Sequence, residues 1–138
     1  MPQRFLLHTG TDLKYIDEVL EWFEGIKHLD LPKQIWSQCR LALVEAFTNV
    51  VRHAHRGMSP DIPVKLEVLL FAEYLEMRIW DFGSPFDLEK RLATLPEMVD
   101  CDRENGRGLL IIRNIADRLS YTRTADNQNC LLIVKFCK

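Results

Sequence analysis

Three short stretches carry residues whose chemistry goes beyond what a fold requires. In Leu43-Val44-Glu45-Ala46-Phe47-Thr48-Asn49, Glu45 and Asn49 lie four apart and are neighbours on one face of a helix. An Asn amide oxygen is a neutral, hard ligand for Mg²⁺, which takes few protein ligands and keeps phosphates and waters for the rest. A carboxylate one turn away can accept the proton of an attacking hydroxyl. Alone, the pair reads as an ordinary solvated i,i+4 pair. The second stretch is Trp80-Asp81-Phe82-Gly83, at the end of an apolar run. A carboxylate there can accept a hydrogen bond from an exocyclic amine such as that of adenine, and a glycine two residues on leaves room for a close approach. Alone, it is a strand-ending turn, where Asp and Gly are common. The third is Asn105-Gly106-Arg107-Gly108-Leu109, which opens a helix. Its glycines let backbone wrap a phosphate, helix-start N–H groups favour anions, and Arg107 adds a cation. Alone, a G-x-G is a tight turn.

The elements that must position these residues follow from periodicity. Phe5 to His8 is a short apolar run before Thr9-Gly10-Thr11-Asp12, which predicts a strand. Leu13, Ile16, Val19, Leu20, Phe23 and Ile26 recur at steps of three and four, which predicts a helix that ends by Gly25 and the Asp30-Leu31-Pro32 step. A long second helix follows, its stripe made by Ile35, Trp36, Cys39, Leu43, Ala46, Phe47, Val50 and Val51. Val64 to Phe71 and Tyr74 to Trp80 are joined by Ala72-Glu73, an antiparallel hairpin. Asp87 to Asn105 is polar, broken by Pro96, and predicts a mobile loop. Leu109, Leu110, Ile112, Ile115 and Ala116 mark a third helix. Leu119 to Thr124 and Cys130 to Cys137 form a last hairpin around Asp126-Asn127. The order β-α-α-β-β-loop-α-β-β predicts an α+β sandwich, a mostly antiparallel sheet with helices on one face.

Composition narrows the function. The chain has 138 residues, 47% hydrophobic and 28% charged, enough for one packed core and unlike a disordered chain. Its formal charge of −2 lacks the basic excess of a nucleic-acid binder. No run approaches the roughly 18 to 20 apolar residues of a membrane span. Met1-Pro2-Gln3-Arg4 leads to too few apolar residues for a secretory signal, and Cys39, Cys101, Cys130 and Cys137 show no zinc spacing. A cytoplasmic protein is expected. His53-x-His55 lacks a third ligand at metal spacing. The Asp81-Phe82-Gly83 triplet also occurs in eukaryotic-type protein kinases, but their glycine-rich loop, strand lysine and H-R-D loop are missing here.

Taken in order, the three stretches resemble the GHKL ATPase superfamily. More closely, Glu45-Ala46-Phe47-Thr48-Asn49-Val50-Val51-Arg52-His53-Ala54 is similar to the E-A-x-T-N-x-x-x-H-A signature of bacterial anti-sigma-factor serine/threonine kinases. Gly106-Arg107-Gly108-Leu109, with Ile112 to Asp117, is similar to that family's G-R-G-L-x-L-I-x-x-x-A-D. The resemblance spans essentially the whole chain. It implies a single histidine-kinase-like ATPase domain over residues 1–138 with the Bergerat fold, a two-layer α/β sandwich on a mostly antiparallel mixed sheet. It implies that Asn49 coordinates the Mg²⁺ on the ATP phosphates and that Glu45 is the general base toward a Ser or Thr hydroxyl. Asp81 would bind the adenine amine, with Gly83 leaving room for the ring. Gly106, Arg107, Gly108 and Leu109 would close the phosphate side, and Leu88 to Asn105 would be the ATP lid. His53 is expected to be structural. The implied partners are an anti-sigma-factor antagonist as phospho-acceptor and a sigma factor or similar regulator, with a homodimer plausible. The alternative is a non-catalytic regulator whose shape ATP sets. The sequence departs from the family at Asp126-Asn127-Gln128-Asn129-Cys130, where a Gly-Gly-Thr element often helps fix adenine.

Overall fold

In the computed structural model, residues 2–26, 31–94 and 107–137 are described. Gly106, Asn105, Cys101, Asp30 and the part of the expected lid from 95 to 105 lie outside them. The elements are β1 (Gln3–Thr9), α1 (Ile16–Glu24), α2 (Lys33–Asn49), β2 (Val64–Leu70), β3 (Tyr74–Asp81), α3 (Leu88–Thr94), α4 (Arg107–Ile115), β4 (Arg118–Arg123) and β5 (Asn129–Phe136). The five strands form one sheet in the order β1-β2-β3-β5-β4. Every pairing is antiparallel, so the sheet is not mixed. Its two-residue hairpin at Ala72-Glu73 closes with Phe71 N–H donating to the Tyr74 carbonyl at 2.9 Å.

Strand alternation divides the sheet into two unlike faces. Along β3, Leu75, Met77, Ile79 and Asp81 are buried, whereas Tyr74, Glu76, Arg78 and Trp80 are half-buried on the other side. The register carries this pattern across the sheet, aligning Val68, Met77 and Ile133, and then Leu66, Ile79 and Leu131. The first face packs against the apolar stripes of α1, α2 and α4 in one core that includes Val19, Phe23, Leu43, Phe47 and Ile112. The second face carries charge. Glu67, only 5% exposed, is bracketed by Arg4 at 2.6 Å and Arg78 at 3.3 Å, and Arg78 also meets Glu76 at 2.9 Å. Two layers result, with the helices on one face.

Two local features differ from the periodicity reading. The stretch expected to be an irregular loop begins with a helix, α3. Asp87 starts it by accepting the Lys90 N–H at 3.1 Å, and Leu88 and Leu92, one turn apart, pack against Leu109 and its neighbours. The second helix also does not stop cleanly. After Asn49 the chain widens into a π-helical turn over Val50–Ala54, closed by the His55 N–H on the Val50 carbonyl at 2.8 Å.

The α1–α2 contact is dominated by one ring pair. Phe23, fully buried, stacks on Trp36 with centroids 3.9 Å apart and planes 8° from parallel. Phe23→Ala is expected to cost about 3–5 kcal/mol of unfolding free energy, read as a lower denaturant midpoint at unchanged slope.

Candidate nucleotide site

A cavity of about 310 Å³ opens between α2 and the C-terminal end of β3. Its floor is apolar: Ala46 and Val50 come from α2 and the turn after it, Ile79 and Leu131 from the sheet. Asp81, Asn49 and His53 supply polar groups, and Ser84, Pro85, Phe86 and Arg91 line the mouth. An apolar slot with a few converging polar groups is the ordinary form of a small-molecule site.

Asp81 is 7% exposed, and a buried carboxylate needs donors. Two reach the same oxygen. Oδ1 accepts the Gly83 N–H at 2.8 Å and the Asn129 Nδ2 at 2.9 Å. Among the described residues both donors fall on Oδ1, and Asp81 lines the cavity. Asn129 is fully buried opposite Asp81 on β5; its Nδ2 also reaches the Gly83 carbonyl at 2.8 Å, and its Oδ1 accepts from Arg123 at 3.0 Å. Arg123 donates to that same Gly83 carbonyl at 3.1 Å. The segment that departs from the family thus supplies a clamp on the Asp81–Gly83 turn.

Gly83 is also constrained by packing: a Cβ there would run into the carbonyl of Ala54, so the widened turn approaches it closely. Gly108 faces Glu45 and Asn49. A Cβ on it would stand 2.8 Å from Glu45 Oε1 and 3.6 Å from Asn49 Oδ1. The start of α4 thus lies directly over the two candidate residues of α2. Arg107 is exposed at the first position of α4, and Leu109 is buried in the cavity wall.

The two histidines lie in different surroundings. His53 is exposed and lines the cavity. His55 is 2% exposed and hydrogen-bonded at both ring nitrogens. Burial lowers its pKa, with the Asp81 charge acting in the opposite sense. Sequence reasoning also missed the aromatic wall. Phe86 and Tyr121 pack with centroids 4.4 Å apart, and the Arg91 guanidinium lies 5.6 Å from the Phe86 ring. Burial first, and then the Asp81 charge, push the Tyr121 phenol up to about 12, so it stays protonated. The buried Cys39 thiol is likewise pushed up to about 12 by desolvation, which leaves it unreactive.

Both groups implied by the resemblance fit these residues. An adenine amine matches a buried carboxylate at the end of an apolar slot. For Mg²⁺ the donor set is one neutral amide oxygen, Asn49 Oδ1. No group of three or more His, Cys, Asp or Glu among the described residues could hold a metal. Such a site suits an ion that arrives with its phosphates.

A two-layer sandwich with an apolar cavity, a buried carboxylate at its end and a helix start at its wall has the form of a nucleotide-binding domain. The sequence profile described as "Histidine kinase-like ATPase domain" matches residues 10–135, and the chain belongs to that family. Within it, 83 residues are 37% identical to the serine-protein kinase RsbW of Listeria monocytogenes serotype 4a, covering 56% of this chain and 52% of that protein. The Staphylococcus epidermidis protein of the same name is 31% identical over 86 residues, 59% of this chain and 54% of the relative. The chain thus spans about half the length of the curated relatives it matches. Among solved structures, a chain of the SiaB–SiaC complex from Pseudomonas aeruginosa superposes with a TM-score of 0.64 at 12% identity, over 96% of this chain and 89% of the other. The Acinetobacter baumannii histidine kinase AdeS gives 0.52 at 16%, over 97% and 69%. These two likenesses concern the fold. No helix among the described residues is long and apolar enough to cross a membrane.

The Asp81–Asn129 pair gives a stability test. Asn129→Asp sets a second carboxylate against the first without changing the volume, and one of the two pKa values must rise. Its proton is then held more tightly in the folded than in the unfolded chain. The penalty is therefore small at low pH and grows as pH rises through the raised value. A loss of about 2–4 kcal/mol at pH 8, shrinking toward pH 5, is expected in denaturant titrations.

Proposed function

We propose that this protein is a serine/threonine protein kinase of the anti-sigma type. In this reading it binds Mg·ATP, phosphorylates an antagonist protein on Ser or Thr, and holds a sigma factor or similar regulator through another surface. One observation carries the reading. A single cavity has the buried carboxylate of Asp81 at its sheet end, while Asn49 lies on its α2 wall and Glu45 shares that helix face beneath Gly108. The relatives named serine-protein kinase support the reaction class.

Asp81 would receive the adenine amine through Oδ2, with Ile79, Leu131 and Val50 against the ring. Asn49 would hold the Mg²⁺, whose contribution is to neutralise charge on the transferring phosphate. Glu45, half-buried one turn before Asn49, would take the proton of the acceptor hydroxyl. The amides that open α4, with Arg107 and Gly108, would face the phosphates; Gly106 belongs to the same proposal. The turn after β3 and α3 would form the near part of a lid. A homodimer and a location in the cytoplasm belong to the proposal as well.

Glu45→Gln keeps the shape and removes the base. Calorimetry should give an ATP affinity within about twofold of wild type, and labelled ATP should show transfer to the antagonist reduced by about 100-fold or more. Wild-type transfer by this variant would remove Glu45 from the mechanism. ATP binding without any covalent label in the wild type would favour the non-catalytic regulator. Asn49→Ala should weaken binding with Mg²⁺ present and lose that difference when the metal is chelated. Gly108→Ala would crowd the far end of the Glu45 side chain at 2.8 Å and meet Asn49 Oδ1 at an ordinary contact distance of 3.6 Å. It should therefore leave the melting temperature nearly unchanged while lowering the transfer rate about tenfold or more.

A further inference from the structure

We infer that His55 is a positioning residue of the nucleotide site: its neutral ring, protonated on Nδ1, holds the backbone amide of Phe82 and thereby the turn that presents Asp81. The inference rests on the nucleotide reading above and concerns how the adenine end of that site is kept in shape.

The hydrogen bonds around His55 have only one consistent direction. The Phe82 amide nitrogen is 2.8 Å from Nε2 and can only donate, so Nε2 must offer its lone pair. On the other side Nδ1 is 2.8 Å from Thr11 Oγ1. The Thr11 hydroxyl donates to the Ile62 carbonyl at 2.5 Å, which leaves Thr11 Oγ1 to accept from Nδ1–H. A directed chain results: Phe82 N–H to His55, His55 to Thr11, Thr11 to Ile62. It ties the residues after β1 and the turn before β2 to the end of β3. A second proton on the ring would set an N–H against the Phe82 N–H and break the link.

Phe82 is the middle residue of the proposed adenine turn, and each of its neighbours is held separately. Asn129 and the Gly83 amide hold the Asp81 carboxylate, while Asn129 and Arg123 hold the Gly83 carbonyl. Without His55 the Phe82 amide would lose the one hydrogen bond that ties it to a buried ring. The same widened turn places Ala54 against Gly83, so two consecutive residues of it touch the adenine turn.

The groups around the ring fix the sign of the pH effect. Asp81 on β3 is the charge that acts on His55, and it favours protonation; burial opposes this and dominates. The Thr11 hydroxyl, the Ile62 carbonyl and the Phe82 amide are uncharged. Asp12 and Asp61, next in sequence to Thr11 and Ile62, accept backbone N–H bonds or lie exposed. The pull of Asp81 does not restore the ordinary value. With its pKa held below the ordinary imidazole value, the ring is neutral at neutral pH, and protonation in acid costs the Phe82 bond.

The test measures Mg·ATP affinity by calorimetry from about pH 8 to pH 5 for the wild type and for His55→Gln, whose amide can accept from Phe82 and cannot ionise. Titration of the nucleotide itself is common to both. The wild type should lose affinity relative to His55→Gln as the pH falls into the range where the ring takes up its second proton, at the pH where its ¹⁵N shifts report that proton, and the two should agree within about threefold at pH 8. Ring ¹⁵N shifts of the unaltered, nucleotide-free protein supply a readout that needs no variant, and should report a proton on Nδ1 at neutral pH. Parallel pH profiles, or a ring protonated on Nε2, would overturn the role of His55 while leaving the nucleotide site standing. A wild type that binds no ATP at any pH would overturn the nucleotide reading, and the role of His55 would fall with it.

Discussion

A carboxylate buried at the end of the central strand is the constraint around which this structure is arranged. Burying Asp81 without donors would cost several kcal/mol, and the cost is met by placing two donors on one of its oxygens. Those donors come from its own turn and from β5, so the group is secure only while β3 and β5 keep register. Asp81 itself lines the cavity. Asn129, Arg123, Gly83 and His55 all serve to hold that arrangement, and none of them needs to touch a ligand to do so.

The opposite end of the cavity is built differently. Glu45 and Asn49 stand on α2, whose apolar stripe is fixed against the sheet by Leu43, Ala46 and Phe47. Above them lies the start of α4, brought close because Gly108 has no side chain. Leu109 then joins Leu88 and Leu92 of α3 in a small cluster separate from the main core. One wall of the cavity is therefore part of the core, and the other is held by a few leucines.

Elements with a strong repeat could be read from the residues alone. The stripe from Ile35 to Val51 defines α2 because a helix packed on a sheet needs apolar groups every three to four positions, and alternation in 64–80 defines the hairpin for the corresponding reason. The helix α3 was hidden by its length: two leucines in seven residues make too short a pattern, although Asp87 four residues before Arg91 is a usable start signal. Asn129 was illegible because its function depends on a partner 48 residues away across a strand pair. The burial of His55 was not legible, since two residues apart on a helix one side chain faces inward and the other outward without the sequence saying which. The answer depends on the turn being wider than an α-helix.

That wider turn between Val50 and Ala54 has its own consequence. Each residue of an α-helix advances the chain by about 100°, so removing one residue from this stretch would swing everything after it around the axis by that amount. Imidazole and backbone would then both miss the loop they contact. Arg52 is exposed, so the segment should tolerate exchange of that side chain far better than any change in its length. In this bend, length is under stricter control than identity.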